Sequence, residues 1–152
     1  MLRNQQFQMS KFDFSQSYGR ILGVAYTALY RRLGKYMKEN NMPITPDQFR
    51  VLTHLWQHDG CSQQDLAVGS NRDRANVTRI IDILEREGIV ERRNHETDRR
   101  AYRIYLTQKG KSIEKQAANC GIKAINDALQ GLTSKEIEIA TTVLRKTIAN
   151  LT

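Results

Sequence analysis

A chain of 152 residues, 39% of them hydrophobic, is long enough for one ordinary domain with a buried core. Its 24 Lys and Arg against 16 Asp and Glu give a formal charge of +8, the electrostatic footprint of a nucleic-acid binder, though many basic proteins bind none. No apolar run approaches the ~18 residues of a membrane span, the N-terminal MLRNQQFQMSKFDF lacks the apolar centre of a secretory signal, and Cys61 and Cys120 form no disulfide framework, so a reduced, cytoplasmic protein without membrane contact is expected.

The first predicted helix runs from about residue 12 to 40, striped by Ile21, Leu22, Ala25, Leu29, Leu33 and Met37 at spacings of three and four, and Pro43 forbids its continuation. Thr45-Pro46-Asp47-Gln48 opens the second: a capping hydroxyl, proline at the first helical position and Gln three residues after the cap. Phe49, Leu52, Leu55 and Trp56 form its apolar stripe. Ser62-Gln63-Gln64-Asp65 starts a short third helix that Gly69-Ser70-Asn71 interrupts, and Asp73 caps a fourth with Val77, Ile80, Ile81 and Leu84 on one face and Gly88 as its stop.

Two strand-like runs follow, Ile89 to Arg92 and Arg103 to Leu106, around the polar loop 94–100; they read as a β-hairpin. Thr107 looks like the cap of another long helix through Ile113, Ala117, Ile122 and Ile125, with Gly121 weakening it locally. Thr133-Ser134-Lys135-Glu136 is a further capping box, and Ile137, Ala140, Leu144 and Ile148 stripe the last helix. There is no internal repeat, and the expected class is mainly α with a small β-hairpin.

Three short helices in sequence and then a hairpin have the order of a winged helix-turn-helix, in which the third helix buries one face and offers the other to the major groove. With Val77 at the centre of the buried face and 100° per residue, the opposite face carries Arg72, Ala75, Asn76, Arg79, Asp82 and Arg86, with Arg74 and Thr78 at its margins. Arg can grip guanine, Asn can grip adenine, and an alanine methyl can pack on thymine. Taken alone, the same residues also read as an ordinary solvated face. The loop 94–100 is open in the same way: a tip rich in Arg can enter a minor groove, or it is a charged turn. Charge is no guide here, because 45–110 holds 11 basic and 10 acidic residues while the excess lies in 1–44 and 111–152.

Leu-Glu-Arg-Glu-Gly-Ile-Val-Glu-Arg (84–92), Asp98-Arg99-Arg100-Ala101 and Leu106-Thr107-Gln108-Lys109-Gly110, together with Ser62-Gln63-Gln64-Asp65-Leu66-Ala67 and Val77-Thr78-Arg79, resemble the signature of the MarR family of bacterial regulators over nearly the whole chain. The resemblance implies one domain over 1–152: a winged-helix lobe at about 45–107 flanked by dimerisation helices at about 12–40 and 108–151. It further implies a homodimer that binds double-stranded DNA at a palindromic operator, as a ligand-responsive repressor. Ser62, Gln63, Arg72, Arg74, Ala75, Asn76, Thr78, Arg79, His95, Arg99 and Arg100 are the candidate DNA contacts, with Asp98 orienting the wing arginine and Ser62 and Gln63 suited to phosphate. Independently, apolar stripes on terminal helices that make up nearly half the chain exceed what a lobe of about 65 residues can cover, which also favours a partner surface.

The resemblance also points to a small aromatic or phenolic effector between the dimerisation helices and the lobe. Tyr26, Tyr30, Met37, His54 and Trp56 are the candidate lining, although such residues at helical spacing also serve as core. Cys61 stands just before a helix start, where a thiol pKa can fall, which leaves a redox-responsive regulator open beside a buried, inert thiol. The histidines and cysteines show no metal-ligand spacing, and no phosphate loop, nucleophile elbow or His-Glu-x-x-His is present, so neither metal, cofactor nor catalysis is expected. A winged helix serving protein contacts, or an enzyme with its site at a dimer interface, are the other classes.

Overall fold

The computed structural model describes residues 14–94 and 102–152. A 3-10 turn at Phe14–Gln16 leads into α1 (Tyr18–Glu39), whose cap is Ser17, accepting from the Arg20 amide, so the helix proper starts later than the expected residue 12. It ends before Pro43 can act. Asn41 takes a left-handed φ of 50°, and the Met42 amide reaches back to the Met37 carbonyl at 2.9 Å, the closure of a Schellman-type end.

α2 (Pro46–Gln57) begins with the expected capping box between Thr45 and Gln48. The two residues Cys61–Ser62 form β1, and Ser62 then caps α3 (Gln63–Gly69). Asn71, with φ of 51°, turns the chain, and Asp73 caps α4 (Arg74–Arg86) by accepting from the Asn76 amide. Gly88, at φ +69°, ends that helix in the conformation glycine adopts without penalty.

β2 (Val90–Asn94) and β3 (Tyr102–Leu106) pair antiparallel from Val90 opposite Leu106 to Asn94 opposite Tyr102. β1 pairs antiparallel with the other edge of β3, Cys61 facing Ile104, giving the sheet order β1-β3-β2. The third strand is invisible to periodicity, because two residues are too few to show alternation.

The long helix expected after Thr107 is two helices, α5 (Gln108–Ser112) and α6 (Glu114–Leu129), jointed at Ile113. Gly110 explains the joint. A Cβ there would lie 2.2 Å from the Ile89 carbonyl oxygen, so α5 is pressed onto the sheet, whereas α6 runs along α1. α7 (Ser134–Leu151) follows a third capping box, Thr133 with Glu136.

The core sits inside the lobe: Val51, Leu52 and Leu55 of α2, Leu66 of α3, Val77, Ile81 and Leu84 of α4, and Ile89 and Ile104 beside them are all fully buried. α6 adds Ala117 and Cys120 to that cluster and α1 adds Met37, whereas α7 buries no residue at all. Mainly helical, with a three-stranded antiparallel sheet, the chain has the winged-helix order its sequence suggests. Among the described residues, no helix is long and apolar enough to cross a membrane.

Candidate nucleic-acid interface and the cavity behind it

The buried stripe of α4 is Val77, Ile80, Ile81 and Leu84, which leaves Arg74, Ala75, Arg79, Asp82 and Arg86 exposed and Asn76 and Thr78 half-buried. Gln63 donates its side-chain amide to the Thr78 hydroxyl at 3.2 Å, and that hydroxyl donates to the Arg74 carbonyl at 2.9 Å. The pair therefore fixes α3 against α4. Ser62 is likewise occupied: its hydroxyl donates to the Asp65 carboxylate at 2.7 Å and accepts from the Asp65 amide. The Ser62 hydroxyl, with the Ser62 amide that donates to the same carboxylate at 3.0 Å, holds the Asp65 carboxyl below its ordinary range. Arg72 is placed differently from expectation. It lies in the turn before α4, its side chain is only 14% exposed, and it pairs with Asp47 of α2, so it is no part of the open helix face. His95, Asp98, Arg99 and Arg100 lie outside the described residues.

The near balance of charge in this segment hides a sharp local imbalance. Most of its carboxylates are already engaged: Asp65 and Asp73 cap helices, Asp47 holds Arg72, and Asp82 (2.5 Å) and Glu85 both hold Arg92. Asp59 accepts from the Leu106 amide at 2.8 Å and lies 3.2 Å from Lys111, while Glu91 pairs with Arg93. Arg74, Arg79 and Arg86 have no ion pair among the described residues, so the outward face of α4 is positive although the segment sum is near zero. Arg92, one-fifth exposed between two carboxylates, also fastens β2 to α4.

The five candidate effector residues do not converge. Tyr26 and Tyr30 share a cavity of about 200 Å³ between α1 and α2 with Leu33, Pro46, Phe49 and Arg50. Arg50 donates to the Tyr26 hydroxyl at 3.0 Å. Burial pushes the Tyr30 phenol up, while the charges of Arg72 and Arg50 pull the other way. Met37 is core. Trp56 packs edge-on against Phe49 and donates its indole N–H to the Gly110 carbonyl at 3.1 Å, and His54 stacks on His58 with ring centres 4.9 Å apart. Arg50 and Asp47 were missed by sequence reasoning because the second helix was read for its apolar stripe and not for what its polar residues face.

Cys61 is buried in β1, and that burial, with the Asp65 charge next, pushes its thiol up to about 11. The helix start after it does not lower the thiol, which removes the low-pKa setting that a redox role for Cys61 requires. Cys120 is buried too, and burial also raises its thiol.

Residues 44–102 match the family model described as the MarR family. An uncharacterised HTH-type transcriptional regulator of Bacillus subtilis, YybA, is 26% identical over 111 residues, spanning 73% of this chain and 74% of that protein. The fold superposes on BpsR of Bordetella bronchiseptica, whose DNA binding is regulated by 6-hydroxynicotinic acid, with a TM-score of 0.83 over 90% of this chain and 96% of that one, at 23% identity. It also superposes on a mutant MarR of Escherichia coli solved with operator DNA, with a TM-score of 0.79, 26% identity, and coverage of 85% and 91%. Residues 44–102 thus carry the winged-helix pattern of the MarR family, and the whole chain shares its fold and element order with solved regulators of that family.

Proposed function

We propose that the chain is a sequence-specific reader of double-stranded DNA that acts as a homodimer on a palindromic operator, as a repressor released by a small aromatic or phenolic effector. The observation that carries the DNA reading is the exposed face of α4, where Arg74, Ala75 and Arg79 stand clear of ion pairs among the described residues while Asp73 caps the helix and Asp82 is taken up by Arg92. Such a face supplies the guanidinium forks and the apolar methyl that base edges in the major groove accept. Arg79 is the base reader in this proposal, Asn76 and Thr78 flank it, and Ser62 and Gln63 contribute placement of α3 more than contact. The wing residues His95, Arg99 and Arg100, oriented by Asp98, would reach the adjoining minor groove.

Dimerisation is supported by apolar residues left exposed among the described residues: Ile21 and Val24 on α1, Ile122 on α6, and Ile139, Val143 and Ile148 on α7 are all 44% exposed or more. Repression follows from occupancy, since a dimer seated on a promoter blocks polymerase. The cavity at Tyr26 and Tyr30 is the place for the effector, by analogy with the ligand-regulated BpsR.

Arg79→Ala tests the central assignment. Binding to a selected operator should weaken by about 1–3 kcal/mol, with little change on unrelated duplex. Equal losses on every sequence would reduce Arg79 to a phosphate contact and unseat the reading.

A further inference from the structure

Thr78 stands on α4 one turn beyond Ala75 and next to Arg79, so the three side chains share one side of the helix. Ala75 and Arg79 are exposed there, and Thr78 is half-buried. A threonine hydroxyl has one proton to donate and two lone pairs with which to accept. Here the proton goes to the Arg74 carbonyl at 2.9 Å, and the Gln63 side-chain amide of α3 takes one lone pair at 3.2 Å. The hydroxyl thus has nothing left to donate to N7 or O6 of guanine, N7 of adenine or O4 of thymine, the acceptors of the major groove. Its oxygen is turned toward the preceding turn of α4 and toward α3. The Cγ2 methyl is then the main group that Thr78 has to offer, beside the methyl of Ala75.

We propose that Thr78, with Ala75, forms an apolar step that reads the 5-methyl group of thymine, close to the guanine gripped by Arg79. This rests on the reading of α4 as the DNA-facing helix and adds the base chemistry that this part of it selects. The two ends of the side chain divide the work: the hydroxyl joins α3 to α4, and the methyl meets the base. Ala75 and Arg79 lie about 6 Å apart along the helix axis, less than two base-pair steps, which places the thymine within about two base pairs of the guanine in each half-site.

The test uses the full chain and an operator duplex recovered by selection from random DNA. Each thymine is replaced in turn by deoxyuridine, which keeps every hydrogen-bonding group and lacks only the methyl. Fluorescence anisotropy reads affinity, and thermal melts confirm folding. Deoxyuridine at one position near the guanine should weaken binding by the parent chain about fourfold, the worth of one buried methyl. Thr78→Ser keeps the hydroxyl and removes the methyl. It should cost about fourfold per half-site on the thymine duplex and nothing further where deoxyuridine already stands. Thr78→Val removes the hydroxyl and keeps the methyl, so it should bind within about twofold of the parent and still prefer thymine. A loss in Thr78→Val with Thr78→Ser unaffected would make the hydroxyl the reader and overturn the proposal. Additive losses from Thr78→Ser and deoxyuridine would overturn it as well. The comparison of thymine with deoxyuridine on the parent chain needs no variant, so it decides the matter even where a variant folds poorly. An operator indifferent to deoxyuridine at every position removes the methyl step and leaves the reading of α4 standing, whereas selection that recovers no operator strikes that reading itself.

Discussion

Gly69 is glycine because His54 occupies the space where a side chain would go. A Cβ on Gly69 would fall 2.1 Å from the His54 ring, and that ring is held in turn against His58. Gly69→Ala should therefore destabilise the fold by about 1–3 kcal/mol through overpacking, read as a lower urea midpoint, and His54→Ala in the same chain should recover part of the loss. An unchanged midpoint would mean that the ring simply moves aside. Cys61 carries a pH signature of definite sign. Its thiol ionises near 9.0 when unfolded and near 11 when folded, so the unfolded chain sheds the proton first as pH rises. The contribution is constant below about pH 9 and falls away between 9 and 11. Cys61→Ser should flatten that part of the stability profile, and in native protein the thiol should resist disulfide reagents at neutral pH until the chain is unfolded.

At the scale of elements, α4 and the sheet are joined by Arg92, which bridges Asp82 at 2.5 Å and also holds Glu85. Removing the guanidinium leaves two carboxylates facing each other at a half-covered site. Arg92→Met should cost about 1–3 kcal/mol and speed amide exchange in β2 ahead of α2, since β2 would lose its fastening to α4. Equal exchange in both elements would argue against a local pin. The three capping boxes and the stripe of α4 were legible in the sequence because they rest on bonds within one helix, three residues apart. What was illegible depends on contacts across the fold. β1 exists through β3, the joint at Ile113 follows from the Ile89 carbonyl behind Gly110, and Arg72 is drawn off its helical face by Asp47, 25 positions earlier in the chain. Among the effector candidates, Tyr26 and Tyr30 meet because α1 brings both to one side, whereas Met37, His54 and Trp56 are packed away by neighbours that the spacing of residues does not reveal.

For the whole molecule, the distribution of buried surface separates the lobe from the terminal helices. The lobe holds nearly all of the core, while α7 has Ile148 at 61% and Leu151 at 80% exposure and touches α1 through the Tyr18–Thr147 hydroxyl pair at 2.9 Å. A second copy of the chain, covering α1, α6 and α7, is the proposed remedy, and it would set two α4 helices at a fixed separation. Val143→Glu with Ile148→Glu should halve the sedimenting mass and weaken operator binding far more than a loss in either lobe alone, because two half-sites are then read separately. The most direct measurement of the central claim is selection of binding sites from random duplex DNA, with affinities taken at two salt concentrations. A palindrome with half-sites about one helical turn apart, and affinity falling steeply with salt, is the expected result. Failure to enrich any sequence, with only weak binding that salt abolishes equally on all duplexes, would contradict a dimeric reader of DNA sequence.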